Sequence, residues 1–104
     1  MAVATVHTWR IHPGRLQDVL GNVSEARKIH ERLGGRVRVW EAAIGGEPGS
    51  LTYVIEHDSM TTYGTFTDKL LTDTGWQSFL QRILGGGDPG AELLSSSLFT
   101  ELQT

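Results

Sequence analysis

The chain of 104 residues contains no cysteine, which excludes a disulfide framework, a thiol nucleophile and a thiolate metal site. No segment approaches the ~20 apolar residues of a membrane span. The N-terminal MAVATVHTWRIH has no uninterrupted apolar run of the kind a signal peptide carries. The expectation is a cytoplasmic protein with no membrane partner. There is no excess of positive charge either: the net charge is −3, which argues against a nucleic-acid partner. No Gly-x-Ser-x-Gly pattern and no Ser-His-Asp order appears, so a nucleophile-elbow hydrolase is excluded. Two similar glycine loops, GGEPG from Gly45 to Gly49 and GGDPG from Gly86 to Gly90, lack the Lys-Ser/Thr ending of a phosphate loop. Neither follows a strand and opens a helix in the dinucleotide-binding manner. No cofactor is expected. The 13 glycines sit mostly in these loops and mark turns.

What remains is one domain, residues 1–104, large enough to bury somewhat over ~60% of its unfolded surface. Val3 to Ile11 is rich in β-branched and aromatic residues and reads as a strand, ended by Pro13-Gly14. From Arg15 the spacing turns helical, with Leu16, Val19, Leu20, Val23, Ala26, His30 and Leu33 on one face until Gly34-Gly35 stops it. Arg36 to Ile44 and Leu51 to His57 read as a hairpin around the turn Gly45 to Ser50. Ser59 to Leu84 reads as a helix broken at Asp73-Thr74-Gly75. Its first half places Met60, Tyr63, Phe66, Leu70 and Leu71 at helical spacing, and its second half Trp76, Phe79, Leu80, Ile83 and Leu84. Asp58 or Ser59 caps the first half and Asp73 the second. After a loop from Gly85 to Gly90, Leu93 to Leu102 reads as a fourth strand.

The order β-α-β-β-α-α-β predicts an α+β, ferredoxin-like arrangement: a four-stranded antiparallel sheet with its helices on one face. Strand three has Leu51, Tyr53 and Ile55 on one face and Val54 on the other. Strand one sets Val3, Trp9 and Ile11 against Val6. A half-solvated sheet alternates more cleanly, so the second face is expected to be covered by another copy of the chain, in a homodimer. Charge is also uneven. Residues 1–38 hold seven basic and three acidic side chains, residues 39–104 two basic and nine acidic. Either the two halves attract each other in the fold, or a basic patch near the end of the first helix draws an anionic ligand.

Strand, long helix, a hairpin ending in Glu56-His57, and then S-x-x-x-Y-x-x-F-x-D-K-L-x-x-D-x-x-W-Q-x-F-L from Ser59 to Leu80 resembles the dimeric α+β barrel superfamily. Ser59, Tyr63, Phe66, Asp68, Leu70, Asp73, Trp76, Gln77 and Phe79 look most like NIPSNAP-type proteins, with the antibiotic-biosynthesis monooxygenases as a related branch. The resemblance implies a homodimer whose sheets pack face to face, with a pocket between each sheet and its own helices. It covers cofactor-free oxygenases, isomerases, haem-degrading enzymes and proteins with no assigned activity. The haem-degrading branch carries a histidine in the second helical region. No histidine follows Trp76 here, so haem degradation is not expected.

The candidate catalytic residues are His7, His30, His57 and Tyr63. His7 and His57 approach each other only if strand faces and register agree, and with Glu41 or Glu56 they would then form an acid–base or metal site. Nothing in their spacing specifies a metal, and none is expected. His30 lies near a helix C-terminus, where it either meets the terminal carbonyls and dipole or stands at the pocket rim as a general base. Tyr63 carries a hydroxyl that needs a partner if buried. The aromatic side chains Trp9, Trp40, Tyr53, Phe66 and Trp76 either form core or line a cavity for an aromatic, polyketide-like molecule. Arg10 and Arg38 are candidates to hold a carboxylate or enolate of the ligand. The functional expectation is a small-molecule-binding homodimer, enzymatic if histidine acid/base chemistry operates as in a cofactor-independent monooxygenase, isomerase or cyclase. The alternative is a non-catalytic, NIPSNAP-like binding or accessory protein with a filled pocket.

Overall fold

A computed structural model describes residues 1–87 and 90–104. The GGDPG loop reading therefore falls partly, at Asp88 and Pro89, outside the described residues. The elements are β1 (Val3–Ile11), α1 (Leu16–Arg32), β2 (Arg36–Glu41), β3 (Leu51–His57), α2 (Met60–Thr72), α3 (Thr74–Leu84) and β4 (Ala91–Thr100). The strands form one antiparallel sheet in the order β2-β3-β1-β4. This is the ferredoxin-like arrangement that the element order predicts. Among the described residues no helix is long and apolar enough to cross a membrane.

Strand parity sorts the side chains. Val3, Thr5, His7 and Trp9 of β1 lie opposite His57, Ile55, Tyr53 and Leu51 of β3, and these residues face the helices. On β3 the alternation is strict: Leu51, Tyr53, Ile55 and His57 are buried and the residues between them are not. With Val37 and residues of all three helices they make the core, in which Phe66 of α2 and Phe79 of α3 are among the largest members.

The end of α1 is set by a Schellman motif. The N–H of Gly35 donates to the His30 carbonyl at 3.0 Å, and that of Gly34 to the Glu31 carbonyl at 3.1 Å. Gly34 adopts φ 105°, which only glycine takes without strain. A Cβ on Gly35 would stand 2.6 Å from Ile55 Cγ2, so the missing side chain lets the helix end settle directly on β3.

Two strand boundaries differ from the sequence reading. β2 ends at Glu41 rather than Ile44, because β3 begins only at Leu51 and offers no further partner. Ala42 still exchanges hydrogen bonds with Ser50 and Gly49. Gly45 and Gly46, at φ 78° and 55°, then turn the chain away and leave Ile44 95% exposed. β4 runs from Ala91 to Thr100 rather than from Leu93 to Leu102, since pairing starts opposite Ile11 and stops opposite Val3, the two ends of β1. A bulge in this ladder pairs Thr8 with Ser95 but Trp9 with Leu93, leaving Leu94 as the extra residue.

The halves of opposite charge do meet. Arg10 pairs with Glu47 and Glu92, Arg32 with Asp73, Arg36 with Asp58, Arg38 with Glu56, and Glu25 with Arg82.

Candidate functional site

Between the sheet and its helices lies a cavity of about 880 Å³, within the range of small-molecule sites. Its walls are mainly aliphatic and aromatic. Trp9, Tyr53, Tyr63, Phe66 and Trp76, each a candidate from the sequence, all line it.

Its polar groups form a row across the sheet. Ser96 of β4 lies opposite His7 of β1, and His7 lies opposite Tyr53 of β3. Ser96 Oγ is hydrogen-bonded to His7 Nδ1 at 2.5 Å. The Tyr53 hydroxyl is bonded to Nδ1 of His30, on the last turn of α1, at 2.7 Å. His30 is 5% exposed, and burial, with smaller contributions from the nearby His7 and His57, lowers its pKa to about 4. Burial pushes the Tyr53 phenol up and His7 down. All three groups are therefore neutral near neutral pH, held as two imidazole–hydroxyl couples. Of the two places open to His30, the structure gives it the cavity wall and Tyr53 as partner.

Trp76 closes the site from above. Its ring centroid stands 4.6 Å from that of His30 and 5.2 Å from that of Phe79. The helix break places it there. Asp73, in extended conformation, ends α2 and caps α3, accepting the Trp76 N–H at 2.9 Å. The same carboxylate takes both terminal nitrogens of Arg32, at 3.0 and 2.8 Å. Arg32, and then the Trp76 amide, hold Asp73 below its ordinary pKa. One side chain thus joins the end of α1 to the start of α3. At the start of α2, Ser59 and Thr62 form a reciprocal capping box.

Other candidates fall elsewhere. His57 does not approach His7: the register sets it opposite Val3, about 13 Å further along the strand. It lies outside the cavity, 2% exposed, against the rings of Tyr63 and Phe66 at 5.3 and 4.7 Å. Burial lowers its pKa, and its Nε2 is buried without a hydrogen-bond partner. Arg10, Arg38 and Trp40 were assigned to the ligand by the sequence, but strand parity puts them on the opposite sheet face. There the two arginines pair with glutamates and Trp40 is 58% exposed. Among the described residues no group of three or more His, Asp or Glu side chains is placed to hold a metal ion.

Sequence reasoning missed Ser96, and with it Thr5, Asn22, Thr67 and Ser97, further hydroxyl and amide side chains of the lining. The run Ser95-Ser96-Ser97 inside a strand was a usable signal, since serine packs poorly on a pleated surface.

The architecture defines the class: a ferredoxin-like α+β fold of the kind found in NIPSNAP proteins and antibiotic-biosynthesis monooxygenases. A NIPSNAP family protein of Agrobacterium tumefaciens superposes with a TM-score of 0.72 at 23% identity, over 100% of this chain and 94% of its own. An uncharacterized NIPSNAP domain protein from Burkholderia xenovorans gives 0.71 at 22% identity, over 98% and 95%. A candidate antibiotic biosynthesis monooxygenase from Bordetella bronchiseptica gives 0.66 at 16%, over 98% of both chains. No family profile and no curated protein matches the sequence. At these identities the likeness is one of fold.

Proposed function

We propose that the protein binds a small, largely apolar, aromatic molecule in this cavity as a homodimer, with His7 as the proton-exchanging group. The observation that carries the reading is the cavity itself, an apolar volume with two imidazole–hydroxyl couples along one wall. A volume of about 880 Å³ speaks against the alternative of a pocket filled by its own side chains.

His7 is favoured over His30 on chemical grounds. With a pKa of about 4, protonating His30 near neutral pH costs about 4 kcal/mol, which suits a hydrogen-bonding partner better than a base. His7 is displaced from its ordinary value by burial alone, and Ser96 fixes its ring. Removal of a proton from a phenolic or enolisable ligand is the step shared by cofactor-free oxygenation, isomerisation and cyclisation. Structural likeness to a candidate monooxygenase supports that group of reactions.

The dimer reading rests on the other sheet face, where Val6 and Val54 are only partly buried and Trp40 and Phe99 are 58% and 56% exposed. Covering such a patch is the usual solution for a soluble chain.

Two measurements test these readings. Light scattering at micromolar concentration should give twice the chain mass, and Val54→Asp should give the monomer mass; a monomeric wild type refutes the dimer. With a ligand found by thermal-shift screening of neutral aromatics, His7→Ala should abolish exchange of the ligand's acidic proton while His57→Ala retains it. Equal exchange in both variants refutes the role of His7.

A further inference from the structure

Among the described residues none of the side chains lining the cavity is Asp, Glu, Lys or Arg. This is not for want of charge nearby. Arg32 and Arg82 lie beside the wall, yet Arg32 is held by Asp73 and Arg82 by Glu25, and Arg82 rests over the Phe79 ring at 5.5 Å. The basic groups of β1 and β2 point to the other face. Polar contact with a ligand is left to neutral groups, above all His7 and His30. Each imidazole has Nδ1 occupied by a hydroxyl. Among the described residues neither Nε2 has a hydrogen-bond partner in the protein.

A hydroxyl partner both donates and accepts. If the Tyr53 or Ser96 O–H donates to Nδ1, the ring carries its proton on Nε2 and donates there. If the hydroxyl accepts from Nδ1–H, Nε2 is an acceptor. Each couple therefore presents either a donor or an acceptor without a change of charge. A ligand hydroxyl and a ligand carbonyl are equally well met. A carboxylate is not, because it would enter an apolar cavity with no cation to compensate its lost hydration.

Resting on the small-molecule reading above, we infer that the cavity is specific for uncharged aromatic ligands whose hydroxyl or carbonyl oxygens meet His7 and His30, and that it rejects the corresponding carboxylates. This replaces the sequence expectation of an arginine-held anion with its opposite.

The test compares two probes that share one ring system, 2-(hydroxymethyl)anthraquinone and anthraquinone-2-carboxylate. Binding to the full chain is followed at neutral pH by quenching of Trp9 and Trp76 fluorescence and by calorimetry. The alcohol should bind and the carboxylate should bind more weakly by roughly tenfold or more. Thr67→Lys, which places a cation in the lining, should narrow or invert that ratio, with circular dichroism showing the variant folded. Should Thr67→Lys not fold, Asn22→Lys, elsewhere in the lining, replaces it. Carboxylate binding as tight as the alcohol's in the wild type overturns the inference while leaving the small-molecule reading standing. Binding of neither probe overturns both. A folded lysine variant with an unchanged ratio overturns the assignment of selectivity to this cavity.

Discussion

The two faces of the one sheet are built from alternate residues of the same strands, yet they handle polarity in opposite ways. Toward the helices, β1 and β3 offer His7, Tyr53 and His57, and among the described residues the cavity wall has no formal charge. Away from the helices β1, β2 and β3 offer Arg10, Arg38 and Glu56, tied into ion pairs with 34–60% of their side-chain surface exposed. On the inner face the polar groups are neutral; on the outer face they are ionised. Burial decides which: an unpaired charge inside costs far more than a neutral imidazole, whereas at the surface it costs almost nothing.

The contrast can be broken most severely from the inner side. Phe66 packs against both His30 and His57, at 5.7 and 4.7 Å, and is 5% exposed. Phe66→Ala should cost about 3–5 kcal/mol in denaturant unfolding; a loss below about 1 kcal/mol would mean that this face is not the core. Acid attacks the same side. His30 is held at about 4 against an unfolded value near 6.5, so the unfolded chain takes up its proton first and the unfolded state binds more protons. Stability should therefore fall as pH drops from about 6.5 to about 4, by up to roughly 3 kcal/mol from His30, with His57 and His7 shifted in the same direction. Unfolding midpoints that stay flat through this window would contradict neutral burial. The outer face should be forgiving: Arg38→Ala removes an ion pair at 3.4 Å between side chains 60% and 34% exposed and should change stability by less than about 1 kcal/mol. A loss comparable to that of Phe66→Ala would erase the distinction between the faces.

Most of this organisation was legible in the chain. Periodicity located the seven elements, and the broken helix with Asp73 as its cap lies where Asp73-Thr74-Gly75 placed it. The two faces of β3 followed from alternation. Register did not. Nothing local to His7 or His57 says that His57 stands opposite Val3 and His7 opposite Tyr53, because pairing is set by where β1 and β3 begin and by the turn lengths between them. Nor did alternation assign Arg10, Arg38 and Trp40 to the face away from the helices, since two apolar-rich faces looked alike until the helices chose one. The coupling of His30 to Tyr53 needs the end of α1 lowered onto β3, which Gly35 permits but does not announce.

The bulge at Leu94 is a shift of phase within one strand. Before it, odd-numbered residues face the cavity, Ala91 and Leu93. After it, Ser96 and Leu98 stand on that face, opposite His7 and Thr5. Were β4 to pair regularly, with no residue left over, Ser95 would take the place opposite His7. Strand β4 therefore reads in two frames, and the bulge is what joins them. A ladder without that step would exchange the C-terminal half of the cavity floor for the outer surface, while leaving every side chain in the chain unchanged.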